Sequence, residues 1–274
     1  MSNAAIPERE YAGERQADAA NVFVCSVVES RMLADSVFSV TVECCEVARA
    51  ARPGQFIGIK CGDGTLLRRP VSICRVDRGL VELVFEVKGE GTRWLSEVRA
   101  GQSLDILGPL GNGFDVPRGK IIFVGGGIGA PPLLFAAEVA RRSSAASCIA
   151  VLGFRDAGRV ILEGEFRSVC DDVRVATDDG SYGICGTVAA PLEELLGEGG
   201  YHAVLACGPR VMLASVASIC RRFETPCSVS LEERMGCCVG ACLVCACATL
   251  SSGVEGMSRV CRDGPVFDAC DVVW

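Results

Sequence analysis

Histidine is almost missing from this chain, with one, His202, in 274 residues. If that one is structural, no histidine is left for a nucleophile–histidine–carboxylate triad or a histidine-built zinc centre. His202 itself opens an apolar strand and reads as structural. Basic residues are the minority, 27 Lys and Arg against 34 Asp and Glu, for a formal net charge of −7. That balance argues against a nucleic-acid partner, because phosphate binding requires a basic face. No run of about 18 or more apolar residues occurs, so no membrane span is expected. The most apolar stretch, Ile121 to Ala140, is broken by Gly125, Gly126, Gly127, Gly129, Pro131 and Pro132. Met1 to Asn21 is polar, mixed in charge and without the apolar core of a signal peptide. It reads as a loose tail, and a cytoplasmic location is the expectation.

What is present in excess is cysteine, 18 residues in a chain that is 50% hydrophobic. The length suffices for two mid-sized domains and a small module without disulfide staples, so a reducing setting is the better reading. Six of the 18 fall between Cys237 and Cys261. The other twelve are scattered, many in apolar strand-like runs, where a free thiol behaves as a small hydrophobe.

Three zones follow from the pattern. Residues 22–116 alternate short β-rich runs with turns: Val22–Glu29, Ser36–Cys45, Gln55–Lys60, Arg69–Val76, Leu80–Val87 and Ser103–Leu107. Six such strands imply a small antiparallel barrel, with one short helix at Thr92–Val98 and Thr92 as its N-cap. Residues 117–225 alternate apolar strands with helix-length segments. The strands are Lys120–Val124, Ser147–Gly153, Val173–Thr177 and His202–Cys207. The helices are Pro131–Arg142, Glu163–Cys170, Thr187–Leu196 and Arg210–Phe223. That alternation implies a doubly wound α/β sheet with helices on both faces. Residues 226–274 are cysteine-dense and loop-like. The fold class is therefore multidomain α+β.

Cys237-x4-Cys242-x2-Cys245, with Cys261 sixteen residues on, is the plant-type [2Fe–2S] spacing. Gly236 and Gly240 suit a loop that folds tightly and aims its N–H groups at sulfur. A structural zinc site also takes four cysteines, but zinc ribbons pair two short C-x2-C hooks. Cys238 and Cys247 are surplus thiols, so coincidence in a Cys-rich stretch is the other competing account.

Two nucleotide signals precede the cysteines. Arg69-Pro70-Val71-Ser72 opens a strand, where Arg69 suits a pyrophosphate and the Ser72 hydroxyl a flavin edge. Gly91-Thr92 opens a short helix. An R-P-x-S tetrad is common, and its weight here comes from the order barrel, nucleotide domain, cysteine loop. Further on, Gly125, Gly126, Gly127 and Gly129 lie between a strand and a helix, the context of a phosphate-cradling turn, though an ordinary βα turn shares it. Cys207-Gly208-Pro209 is a second strand-to-helix turn, and the two would share one crevice. Asp178-Asp179-Gly180-Ser181 reads as a solvated turn. Arg155 favours NADPH and Asp156 favours NADH.

Taken together, Arg69–Ser72, Gly91-Thr92, Val124–Pro132, Asp178–Gly183, Cys207–Pro209, Ser230–Cys237 and Val260–Phe267 resemble the ferredoxin–NADP reductase superfamily. Within it they resemble the electron-transfer subunits of NAD-dependent (class 1B) dihydroorotate dehydrogenases. The resemblance implies FAD held by Arg69, Pro70, Val71, Ser72, Val84, Phe85, Glu86, Gly91 and Thr92, and NAD(H) at the glycine turns. It implies a [2Fe–2S] cluster on Cys237, Cys242, Cys245 and Cys261. The partner would be an FMN-containing dihydroorotate dehydrogenase catalytic subunit in a two-plus-two heterotetramer serving pyrimidine biosynthesis. Cys238 and Val244 stand where that family usually has glycine. The alternative is the flavin/iron–sulfur subunit of an NAD(P)H–ferredoxin oxidoreductase, sulfide dehydrogenase or hydrogenase. A zinc-stabilised interaction protein is a more distant alternative.

Overall fold

The computed structural model describes residues 21–143, 147–251 and 253–274. All of the expected N-terminal tail but Asn21 lies outside them.

β1 (Val22–Ala34), β2 (Val37–Glu43), β3 (Phe56–Lys60), β4 (Arg69–Asp77), β5 (Leu80–Glu86) and β6 (Ser103–Leu110) close a barrel in the order β1-β2-β5-β4-β3-β6. Every pairing is antiparallel. Alternation fills it: Val27, Val40, Val42, Ile57, Ile59, Val71, Ile73, Leu83, Leu104 and Ile106 all point inward, as period-two strands around a small barrel require. Two local readings change. The second strand ends at Glu43, and Cys45–Ala50 is a short helix, α1, with Glu46 in its first turn, Arg49 in its last and Val47 buried. That charge order suits the helix dipole. Helix α2 covers Glu90–Ser96, not Thr92–Val98. Gly89 takes the N-cap, and Thr92 sits inside the first turn, where its Oγ1 accepts the N–H groups of Lys88 (2.9 Å) and Gly89 (3.1 Å).

The chain then builds β7 (Lys120–Gly126), α3 (Ala130–Arg142), β8 (Ser147–Phe154), α4 (Glu163–Val169), β9 (Asp172–Thr177) and β10 (Ile184–Cys185). It continues with α5 (Ala189–Glu198), β11 (Ala203–Cys207), α6 (Arg210–Arg222) and β12 (Cys227–Ser230). After the cysteine loop come a hairpin, β13 (Ala246–Ser251) and β14 (Val254–Arg259), and a last strand, β15 (Val266–Asp268). The large sheet runs β10-β9-β8-β7-β11-β12-β15. It is parallel except for β15, which returns antiparallel on β12. The order in which the chain adds strands reverses between β7 and β11, so the ligand crevice of an open α/β sheet belongs at their carboxyl ends.

Helix α3 is buried almost all round because it lies between sheet and barrel. Leu133 and Leu134 join the sheet core and Phe135 the barrel core. Arg75 of β4 reaches across to Glu138 at 2.6 Å. The expected boundary after residue 225 falls just before β12, which is a strand of the large sheet. Val260, Cys245 and Cys261 share one apolar core with Val204 and Val229 of the sheet and with Phe56 and Leu110 of the barrel. The cysteine-rich segment thus packs on both domains at once.

Candidate functional site

The glycine turn follows directly from β7. Gly125 and Gly126 end the strand, Gly127–Gly129 make a single 3₁₀ turn and α3 begins at Ala130. Gly129 has to be glycine, since a Cβ there would lie 2.2 Å from the Cys207 carbonyl oxygen. The two expected turns therefore interlock. Around them opens a crevice of about 660 Å³. Gly126, Gly127, Gly208, Pro209 and Glu86 line it, together with Arg155 and Asp178. Gly125, Gly129 and Cys207 stand behind it, and the Cys207 thiol is buried and pushed up by that burial. His202 serves structure: its Nδ1 accepts the Lys120 N–H at 3.1 Å. The Asp178–Ser181 turn contributes Asp178 to the crevice, while Asp179 accepts from the Ser181 N–H and hydroxyl.

The barrel wall beside the crevice is set by alternation. Val71 points into the barrel, and Pro70 and Ser72 point out, half-buried. Phe85 also points inward, with its ring 6.2 Å from that of Phe38. Val71 and Phe85 therefore offer an outside ligand only main chain. The Arg69 side chain lies over the start of α2, against Gly91. A Cβ on Gly91 would meet Arg69 Nε at 2.3 Å, so this glycine makes room for the guanidinium.

In the loop before β13, main-chain N–H groups converge on sulfur. Val239, Ala241 and Cys242 donate to Cys237 Sγ at 3.5, 3.2 and 3.4 Å. Gly240 donates to Cys261 Sγ at 3.1 Å and Cys261 to Cys245 Sγ at 3.5 Å. Burial alone would raise the Cys237 thiol, but the N–H bonds from Val239 and Cys242, with the Cys242 side chain and the Ala241 N–H, overcome it and hold it at about 6. The Cys261 thiol is pushed up to about 12, first by burial and then by Cys245 beside it. Main-chain N–H bonds to sulfur link Cys242 to Cys237, towards solvent, and Cys261 to Cys245, inside. Among the described residues no three Cys, His, Asp or Glu side chains close on one ion-sized position. Two thiol pairs with backbone donors fit two bridged irons better than one tetrahedral zinc. Arg259 braces the loop, bonded to Asp263 at 2.9 Å and to the Gly240 carbonyl at 3.3 Å.

Residues 232–273 match the iron-sulfur cluster binding domain of dihydroorotate dehydrogenase B. Over 259 residues the chain is 38% identical to the dihydroorotate dehydrogenase B (NAD(+)) electron transfer subunit of Desulforamulus reducens, covering 92% of this chain and 98% of that one. The corresponding subunit of Geobacillus thermodenitrificans is 40% identical over 259 residues, 90% of this chain and 97% of its own. The chain belongs to this family of electron transfer subunits. Among solved structures, an NADH-dependent reduced ferredoxin-NADP oxidoreductase superimposes with a TM-score of 0.82 at 31% identity, over 91% of this chain and 90% of that one. A flavohemoglobin from Malassezia yamatoensis, solved with FAD and heme, reaches 0.60 at 18% identity over 74% and 57%, which shows the fold alone.

For a member of this family, three crevice residues lie outside the sequence reading. Arg159, in the turn after β8, pairs with Glu86 of β5 at 3.0 Å and so ties sheet to barrel. Lys88 stands on the other side of Glu86 at 3.3 Å. Glu232 lines the crevice with its carboxyl raised, first by burial, with Lys88 drawing it back and Glu86 adding to it. Glu232 lies in the quoted Ser230–Cys237 stretch, but no local signal marks it, because its neighbours come from other elements. Cys238 and Leu243 adopt left-handed backbone, with φ of +64° and +61°. Val244 is not among the residues with positive φ.

Proposed function

We propose that this chain carries electrons between NADH and the catalytic subunit of dihydroorotate dehydrogenase, through FAD and a [2Fe–2S] cluster. The carrying observation is the loop from Gly236 to Cys245, in which four main-chain N–H groups point at the sulfurs of Cys237 and Cys261. Such donors favour thiolate and so favour metal. FAD takes up hydride as an electron pair and releases electrons singly, and the cluster carries them one at a time.

The residues divide the work. Arg69 supplies the cation for a pyrophosphate, with Gly91 and Thr92 shaping the helix start beside it. Pro70 and Ser72 form the outward wall for the flavin ring. Val71 and Phe85 contribute main chain, Val84 faces outward from the barrel, and Glu86 closes the edge. Gly125, Gly126, Gly127, Gly129, Cys207, Gly208 and Pro209 shape the crevice for NADH. Cys237, Cys242, Cys245 and Cys261 hold the cluster. Residues 22–116, 117–225 and 226–274 act as the FAD, NAD and cluster units, with β12 and β15 knitting the last to the sheet. The partner is an FMN-bearing catalytic subunit, two copies with two of this chain, in the cytoplasm. No helix among the described residues is long and apolar enough to cross a membrane. The sister role in a ferredoxin oxidoreductase is not favoured, because the curated relatives that match nine-tenths of the chain carry the dihydroorotate dehydrogenase name.

The test is reconstitution. The holo chain alone should oxidise NADH with artificial acceptors and leave dihydroorotate untouched, and the catalytic subunit should add NADH-linked orotate reduction. Turnover of dihydroorotate by the single chain, or no NADH-linked reduction with the partner, overturns the proposal.

A further inference from the structure

Cys238 has no part in the reading above. It follows Cys237, its side chain is fully buried, and its backbone is left-handed at φ +64°. A residue with a Cβ is disfavoured there relative to glycine. Something must offset that cost, and the surroundings of the sulfur show what.

The thiol packs on the barrel. A Cβ placed on Gly58 of β3 would lie 3.5 Å from Cys238 Sγ and 3.4 Å from the Arg68 side chain. The absent Gly58 side chain thus leaves a hollow in the barrel wall, and the sulfur sits over it. Arg68 closes the hollow from the other side, held by the Gly58 carbonyl at 3.2 Å and by Asp105 at 2.7 Å. Gly58 is the register partner of Pro70 in β4. Gly58 is thus paired with Pro70 along the sheet and faces the Cys238 sulfur across the hollow.

We propose that Cys238 is a positioning residue for electron transfer, its thiol wedging the cluster loop onto the barrel at Gly58 and fixing how closely the cluster approaches the flavin wall. The inference rests on the assignment of FAD to β4 and of the cluster to Cys237, Cys242, Cys245 and Cys261. In the transfer itself one electron leaves the reduced flavin and one arrives on the cluster, with no bond made or broken. Cys238 supplies packing and contact, not ligation.

The experiment compares wild type, Cys238→Gly and the double variant Gly58→Ala/Cys238→Gly as holo chains. Cofactor content, the EPR spectrum of the reduced cluster and the rate of cluster reduction after rapid mixing with NADH are read for each. Cys238→Gly should keep both cofactors, change the EPR line shape and slow cluster reduction roughly tenfold, within the range that a displacement of about 1 Å costs a positioned reaction. The added methyl at Gly58 should refill the hollow and recover most of the rate. A wild-type rate and spectrum in Cys238→Gly, with thermal stability raised by relief of the left-handed backbone, overturns the proposal. So does loss of the cluster in both Cys238→Gly and Cys238→Ser, which would make the sulfur a ligand. Wild-type protein without flavin or cluster after reconstitution would instead remove the functional assignment, and this inference with it.

Discussion

Cys25 on β1 and Cys237 in the cluster loop carry the same thiol, yet the barrel pushes one up to about 12 and the loop holds the other at about 6. Burial is the largest influence on both, and it raises both. The difference is what faces the sulfur. Cys25 meets the Cys44 thiol and the Glu46 carboxylate, which raise it further. Cys237 meets the N–H groups of Val239, Ala241 and Cys242. A strand spends its N–H groups on the neighbouring strand, whereas a glycine-containing loop leaves them free to point inward. Backbone geometry thus separates Cys237 from the buried barrel thiol Cys25.

The largest effect expected from that contrast is loss of the cluster. Cys242→Ser should abolish the EPR signal of the reduced chain, while Cys247→Ser, on strand β13 and buried, should leave it. A surviving signal in the first variant, or a missing one in the second, reverses the assignment of ligands.

Next in size is the alkaline limb of stability. Burial pushes Cys25 to about 12 and Cys61 and Cys148 to about 11, from an ordinary value of 9.0. Below the ordinary value folded and unfolded chains are equally protonated at these sites, so nothing is lost. As pH rises from 9 towards the folded values only the unfolded chain ionises, and folding weakens. Near pH 10 each thiol costs about 1.4 kcal/mol, or about 4 kcal/mol for the three. Denaturant titrations at pH 8 and pH 10 measure this directly. A Cys25→Ala/Cys61→Ala variant, whatever its loss at pH 8, should show the smaller drop between the two. An equal drop would mean that these thiols already ionise in the fold.

The same contrast explains what was legible in the sequence. The six barrel strands and the strand–helix alternation are local patterns, and the structure contains them with shifted ends. The expected strand Ser36–Cys45 overruns into the first residue of helix α1 because Cys44-Cys45 continues an apolar run, and only the charges of Glu46 and Arg49 hint at a turn of helix. Pairing of β15 with β12, and the meeting of Arg159 with Glu86, join segments 36 or more residues apart. No local pattern carries that information. Cysteine spacing marks the four-thiol loop, but no local signal tells that Cys238 turns away from it towards Gly58. That depends on a hollow in another domain.

Among the polar residues the barrel offers a matched pair. Arg68 is tied across the barrel to the Gly58 carbonyl and to the Asp105 carbonyl and carboxylate, whereas Arg69 donates to the nearby Leu67 carbonyl and lies over the start of α2 against Gly91. Arg69→Ala should weaken FAD binding by about 2 kcal/mol, roughly thirtyfold in Kd, as expected for a charge-assisted contact. Arg68→Ala should change it by about twofold or less. Fluorescence titration of the apo chain separates the two, and equal losses would show that neither binds the pyrophosphate. Acid release of the flavin should yield FAD and not FMN.

The smallest effect concerns the outer face of the loop. Val239, Leu243 and Val244 are 44%, 61% and 58% exposed, beside Cys242, which is exposed, and Cys237, which is half-buried. Leu243 also adopts a left-handed backbone, so neither its environment nor its conformation in the isolated chain accounts for a large apolar side chain. An electron carrier whose cluster lies at the surface needs its acceptor close by, and an apolar centre is what an interface core uses. Leu243→Glu should leave the cluster spectrum and the melting temperature of the isolated chain unchanged. It should weaken binding of the catalytic subunit roughly tenfold, about 1.4 kcal/mol, and lower NADH-linked orotate reduction in step. The paired control is Met257→Glu on β14, where a residue 68% exposed lies on the hairpin away from the four thiols; it should bind as wild type. If Leu243→Glu binds normally with its cluster intact, the docking surface lies elsewhere. The exposed residues beside the ligands would then serve only to shield the cluster from water.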